Sequence, residues 1–257
     1  MNDFVADLKS IFEAFQEENK SRWNSLIERA NENTLDKPET HFCSKSQPYF
    51  YSGKLIDRKS LKLLKGVKYL IITMNPALIG DKDCRDSAPY DILTESLNDF
   101  IERQNKWFEE FADQRSTSMI YNFSNKSLKF LNGEDEECEG VRYGYLRKYA
   151  VVVDWFPFYS KNFVLKKVND LPDERLRLIL SLAKELKTNK IIALGSDIKN
   201  SLDLLMKKTS ANEEFSKYRL DKYVFEGMTV YSYLVGYKSD DYFKNVARLI
   251  NKDCQNE

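Results

Sequence analysis

The side chains in this sequence whose types could do chemistry each follow an apolar run. Asn75-Pro76 follows "YLIITM", Asp154-Trp155 follows "AVVV", Gly195-Ser196 follows "IIAL", and Tyr237-Lys238-Ser239 follows "VYSYLVG". An amide donates and accepts, an ionised carboxylate only accepts, and a lysine brings three donors and a positive charge. Tyr90 lies fifteen positions after Asn75, and Trp155, Phe156, Phe158 and Tyr159 cluster after Asp154. Amide, carboxylate and aromatic faces together are the ingredients for gripping a planar base. Lys238, Ser239 and the helix N–H groups opened by Ser196 suit adjoining phosphates. Singly, each has a plainer reading: Asn-Pro is a turn, Asp154 pairs with a lysine, the aromatics are core and Ser196 is a cap. It is the recurrence at successive strand ends that points to a pocket.

The elements that must position these residues can be read from periodicity. Val67–Met74, Tyr149–Val153 and Lys190–Leu194 are near-continuous apolar runs, the pattern of strands covered on both faces. Spacing predicts helices over Tyr90–Gln114, Thr117–Leu131 and Asp173–Leu186, the last with Pro172 just before it. Tyr223–Phe225 and Thr229–Val235 flank Glu226-Gly227, a hairpin turn, and Ser239–Ile250 reads as a last helix capped by Ser239 and Asp240. Ahead of these, Asp3–Asn19 and Ser21–Asn31 have helical spacing, Asn33–Gln47 is polar, and Pro48–Gly53 is a short extended piece. Alternating strands and helices imply an α/β protein with a mostly parallel sheet, whose ligands bind beyond the C-terminal strand ends. The expected division is a helical extension over residues 1–47 and an α/β domain over 48–257.

Bulk properties narrow the class. With 257 residues, 42% hydrophobic and 13% aromatic, the chain can build one sizeable core. Forty basic and forty acidic residues argue against a protein that coats nucleic acid over its whole surface, but leave room for a local patch. Lys54–Lys68 is locally basic and "EDEECE", Glu134–Glu139, is acidic; a solvated surface is the plain reading of both. No apolar run approaches the roughly 20 residues that span a bilayer. The N-terminal stretch mixes acids among its apolar residues, unlike a signal peptide, so an intracellular protein is expected. Cys43, Cys84, Cys138 and Cys254 form no close pairs, which argues for reduced thiols and against a metal cluster.

From Pro48 to Ile250 the chain resembles the uracil-DNA glycosylase superfamily. "MNPALIG" is similar to the first motif of the single-strand-selective and mismatch-specific branches, where a catalytic Asp or Asn precedes Pro at the end of the first strand. Tyr90 in "SAPY" falls where the family places an aromatic that stacks on the flipped base. "VVVDWFP" matches the strand that ends in a base-reading residue, "IIALGSDIKNSL" the Leu-Gly strand–helix segment, and "VYSYLVGYKS" the place of the last motif. The resemblance implies a three-layer α/β/α fold around a four-stranded, mostly parallel sheet. It implies a monomer that binds DNA, flips out a base and hydrolyses its N-glycosidic bond without a cofactor or metal. It implies Asn75 as a catalytic residue; Asp154, at the base-reading position, is a second catalytic candidate, placed to hold the attacking water instead. Met74, Pro76, Tyr90, Asp154 and Trp155 would surround the base, and Ser196, Tyr237, Lys238 and Ser239 would contact DNA.

Two departures shape that expectation. The last motif lacks the family's histidine; the only one, His41, lies in the polar N-terminal stretch. Losing one such preorganised donor typically costs about 10²–10³ in rate. Asp154 stands where the family usually has Asn, and an ionised carboxylate repels uracil's O4 but accepts from the exocyclic amine of cytosine. A cytosine-like or modified base is therefore the expected substrate. Other readings are an inactive nucleic-acid-binding relative, an α/β protein that handles free nucleotides, and a protein-interaction module built on the N-terminal helices.

Overall fold

A computed structural model describes residues 5–6, 8–9, 51, 53–57, 59–64, 66–73, 96–106, 119–154, 179, 182–188, 190–195, 198–199, 202–203, 206–209, 213–225, 227–233 and 238–255. Strands β1 (Ile56–Asp57) and β2 (Lys62–Leu63) pair antiparallel as a small hairpin. The main sheet contains β3 (Tyr69–Thr73), β4 (Ala150–Asp154), β5 (Ile191–Leu194), β6 (Lys207–Thr209), β7 (Leu220–Phe225) and β8 (Met228–Tyr233). Its spatial order is β4-β3-β5-β8-β7-β6. The described helices are α1 (Leu97–Asn105), α2 (Met119–Asn132), α3 (Gly144–Tyr149), α4 (Glu213–Lys217) and α5 (Asp240–Cys254). None is long and apolar enough to cross a membrane.

β3 and β5 are buried at every residue, as their unbroken apolar sequences require. β3 pairs parallel with β4 on one side and β5 on the other, and β5 pairs parallel with β8. β8 then turns back antiparallel onto β7, with Phe225 opposite Met228 across the Glu226-Gly227 turn. Gly227 has φ +80, the left-handed backbone this hairpin needs. β6 pairs antiparallel with β7 at the edge. Among the described residues the sheet is therefore mixed and six strands wide. β6 had no legible signal because "KKT" is too short and too charged to show a period.

The two sheet faces carry separate cores. On one, Leu70, Ile72, Val151, Val153, Ile191, Ala193 and Val230 pack with Phe100 and Ile101 of α1 and with Ile179, Leu182, Ile198 and Leu202. Leu8, helical and fully buried, joins this cluster. On the other face, Ile71, Val152, Ile192 and Tyr231 pack with Leu128 and Leu131 of α2, Leu146 of α3, and Phe243, Val246 and Ile250 of α5. Each fully buried aliphatic side chain stabilises the fold by about 1.5–3 kcal/mol.

Several element boundaries differ from expectation. The helix expected over Tyr90–Gln114 is α1, nine residues long, because Ser96 caps it by accepting from the N–H of Asp99 at 3.1 Å. At its other end Asn105 is committed to the β1–β2 hairpin: its Oδ1 accepts from the N–H groups of Leu55 (3.0 Å) and Ile56 (3.3 Å), and its Nδ2 donates to Ile56 O at 2.6 Å. The strand expected from Tyr149 begins at Ala150, since Tyr149 ends α3. The last helix continues past Ile250 to Cys254.

The acidic run is exposed at Glu134, Glu136, Glu137 and Glu139, as expected of a solvated surface, and it also binds its neighbours. Lys148 donates to Asp135 (2.9 Å) and Glu137 (2.6 Å), the Tyr149 hydroxyl donates to Asp135, and Lys129 donates to Glu139 at 2.7 Å. The Tyr145 hydroxyl accepts from the Asp135 N–H and donates to Glu139, both at 2.9 Å. The run thus fastens α2 to α3.

Candidate functional site

The site is built on the C-terminal ends of parallel strands. Thr73, the last residue of β3, pairs in register with Asp154, the last residue of β4. Leu194, the last residue of β5, pairs in register with Tyr233, the last residue of β8. The chain moves from β3 to β4 on one side, then to β5 on the other, so the winding reverses between β3 and β5. Ligands of open α/β sheets bind in the crevice outside the strands at such a reversal.

Asn75 follows Thr73 by two positions and Ser196 follows Leu194 by two. The structure places the backbone of Asp154 beside the end of β3. Met74, Asn75, Pro76, Tyr90, Trp155, Ser196 and Tyr237 lie outside the described residues, as do His41, Cys43 and Cys84. Lys238 and Ser239 are described, and both are exposed. Ser239 is the N-cap of α5 and accepts from the N–H of Tyr242 at 3.3 Å. The Lys238 ammonium lies 5.3 Å from the centre of the Tyr242 ring.

Tyr242 links Lys238 to a group that sequence reasoning missed. Its hydroxyl donates to the carbonyl of Tyr218 at 3.0 Å, and the two ring centroids are 6.1 Å apart. The Lys217 ammonium lies 5.7 Å from the Tyr218 ring. Since β7 runs antiparallel to β8, with Leu220 opposite Tyr233, the turn at Tyr218-Arg219 sits at the same sheet edge as the end of β8. Behind it, Tyr242 meets Phe243 edge-on at 5.5 Å, and Lys126 lies 5.3 Å from the Phe243 ring while pairing with Asp240. Burial pushes the Tyr242 phenol up to about 12, with Arg219 working in the opposite direction. The signal available in the sequence was "KYR", two cations around an aromatic.

Next to this edge, the helical residues after β5 are clamped to the antiparallel strands. Lys199 bridges Asp203 (2.9 Å) and the buried Asp221 (3.3 Å), Lys208 pairs with Asp221, and the Tyr223 hydroxyl donates to Asp203 at 2.6 Å. Burial works to raise the Asp203 carboxyl, but the Tyr223 and Lys199 hydrogen bonds outweigh it and hold the group below its ordinary value. Burial and the Asp203 hydrogen bond drive the Tyr223 phenol well up. Every charge in this network has a partner, and together they fix the helical residues after β5 against β6 and β7.

A cavity of about 320 Å³ lies between α1 and the hairpin that leads into β3, lined by Lys54, Ile56, Asp57, Leu64, Glu102, Asn105 and Lys106. Among the described residues no group of three or more His, Cys, Asp or Glu side chains could hold a metal ion. Cys138 is a buried free thiol and Cys254 a half-buried one. No family model matches the chain, and no curated protein matches it.

Proposed function

We propose that this protein is a DNA glycosylase that extrudes a cytosine-like or modified base and hydrolyses its N-glycosidic bond. The observation that carries the reading is the in-register pairing of Thr73 with Asp154 beside the winding reversal. It brings the end of β3, two residues before Asn75, beside the end of β4, where a ligand of an open α/β sheet is bound. On this reading β4-β3-β5-β8 is the four-stranded parallel unit of a three-layer α/β/α fold, and β7 and β6 extend it.

Extrusion is required because the sugar–base bond is not reachable inside a stacked duplex. The base stacks on Tyr90 and packs against Met74, Pro76 and Trp155, while the Asp154 carboxylate accepts from an exocyclic amine. Asn75 orients a water toward C1′. An amide is a weak base, but a bond that breaks mostly before attack needs positioning more than deprotonation. The departing base takes the bonding electron pair, the water oxygen bonds to C1′, and the proton the water gives up passes to the base anion. Ser196, Tyr237, Lys238 and Ser239 hold the flanking backbone.

The test is a panel of oligonucleotides bearing uracil, hypoxanthine, xanthine, cytosine and modified cytosines, scored for abasic sites. Release is expected for amino-bearing bases and not for uracil. Asn75→Ala is expected to abolish release while oligonucleotide binding persists. Efficient uracil excision would overturn the assignment of Asp154, and unchanged turnover by Asn75→Ala would overturn that of Asn75. Tight binding with no release from any substrate would leave the non-catalytic reading in its place.

A further inference from the structure

We infer that Lys217, Arg219 and Lys238, gathered on the Tyr218–Tyr242 pair, form a surface that tracks the phosphate backbone of a nucleic-acid strand. The inference rests on the reading above for the identity of the ligand and extends it to residues in the α4–β7 turn. Lys217, Arg219 and Lys238 are all exposed, and none takes part in an ion pair among the described residues. Other cations close by are differently disposed: Lys126 pairs with Asp240, Lys199 and Lys208 with Asp221, and Arg248 with Glu214. Cations neutralised within the fold have little to offer phosphates; unpaired exposed ones can release counterions on binding.

Their placement is fixed rather than accidental. Two of the three lie over rings whose centroids are 6.1 Å apart, and those rings are tied by the Tyr242 hydroxyl to the Tyr218 carbonyl. Arg219 sits between Tyr218 and the start of β7, with φ +51. A left-handed backbone is uncommon for an arginine. Tyr218 and Tyr242 are half-buried, leaving ring surface beside the cations. Cations interleaved with aromatic faces are how single strands are gripped without sequence preference. The patch flanks the end of β8, so a strand lying on it runs toward the reversal between β3 and β5.

The test is fluorescence anisotropy of a labelled, mixed-sequence single-stranded DNA 20-mer titrated at several salt concentrations. The proteins are the parent, the Lys217→Ala/Arg219→Ala double variant, Arg219→Gly, and a Lys252→Ala control at the far end of α5. The double variant is expected to bind more weakly, with a log K against log salt slope shallower by about 1.4, or about 0.7 per lost contact. Arg219→Gly relieves the left-handed backbone, so it should melt no lower than the parent yet lose about 0.7 of slope. Lys252→Ala should match the parent. An unchanged slope in the double variant, an equal drop in Lys252→Ala, no oligonucleotide binding by the parent, or equally effective competition by polyglutamate would each overturn the proposal. Loss of slope in the double variant, with no base released by the parent, would uphold the patch and remove the glycosylase reading. Base release by a parent whose variants bind and turn over unchanged would do the reverse.

Discussion

Asp135 is the half-buried member of an otherwise exposed acidic run. Hydrogen bonds from Lys148 and Tyr149 hold its carboxyl down at about 2, against an ordinary 3.8. A lowered carboxylate stabilises the fold above its unfolded value and loses that contribution as pH falls through the folded one. Stability should therefore decline between about pH 4 and pH 2 more steeply in the parent than in Asp135→Asn. Urea midpoints measured across that window should show the gap between the two closing as pH 2 is approached. Nothing in "EDEECE" announces this, because Lys148 and Tyr149 lie 13 and 14 residues further on, in α3; the charge was legible and the pairing was not. The same holds at the candidate site. Asn75 and Asp154 could be picked out because each follows an apolar run; of the two strands those runs form, the register pairs Thr73 with Asp154, and Asn75 lies outside the described residues. Lys217 and Arg219 were missed because their neighbours in space, Tyr242 and Lys238, are more than 18 residues away in the chain.

At the scale of elements, strands whose both faces are covered were readable from composition alone, as β3, β4 and β5 show. Short elements set by one contact were not. α3 begins at Gly144 after Tyr143, whose backbone is left-handed at φ +56, and it has no side-chain cap of its own. Asn125 of α2 supplies one instead, its Oδ1 accepting from the N–H of Leu146 at 3.1 Å. Gly144 lies against the backbone of Cys138, into which any Cβ would run. Backbone cannot swing aside as a side-chain tip can, so Gly144→Ala should cost about 1–3 kcal/mol. A chemical-denaturation midpoint unchanged from the parent would show that the 138–144 turn can give way.

For the whole molecule, the informative residue is Leu8. The sequence suggested an N-terminal extension apart from the α/β domain, yet Leu8 is buried in the same cluster as Leu70, Phe100 and Ile191. Leu8→Ala should therefore destabilise the α/β domain itself by about 2–5 kcal/mol. A calorimetric transition of the sheet that is blind to this change would mean that the first helix folds separately. At the opposite end of the sheet, β6 is three residues long, and the Lys208 side chain is drawn back onto Asp221. A rim this short offers an approaching chain only a few ladder bonds, and a lysine on it discourages stacking of one sheet on the next. That flank is guarded against growing into a fibre by edge pairing, and the proposed site lies away from it, at the strand ends beside the reversal between β3 and β5.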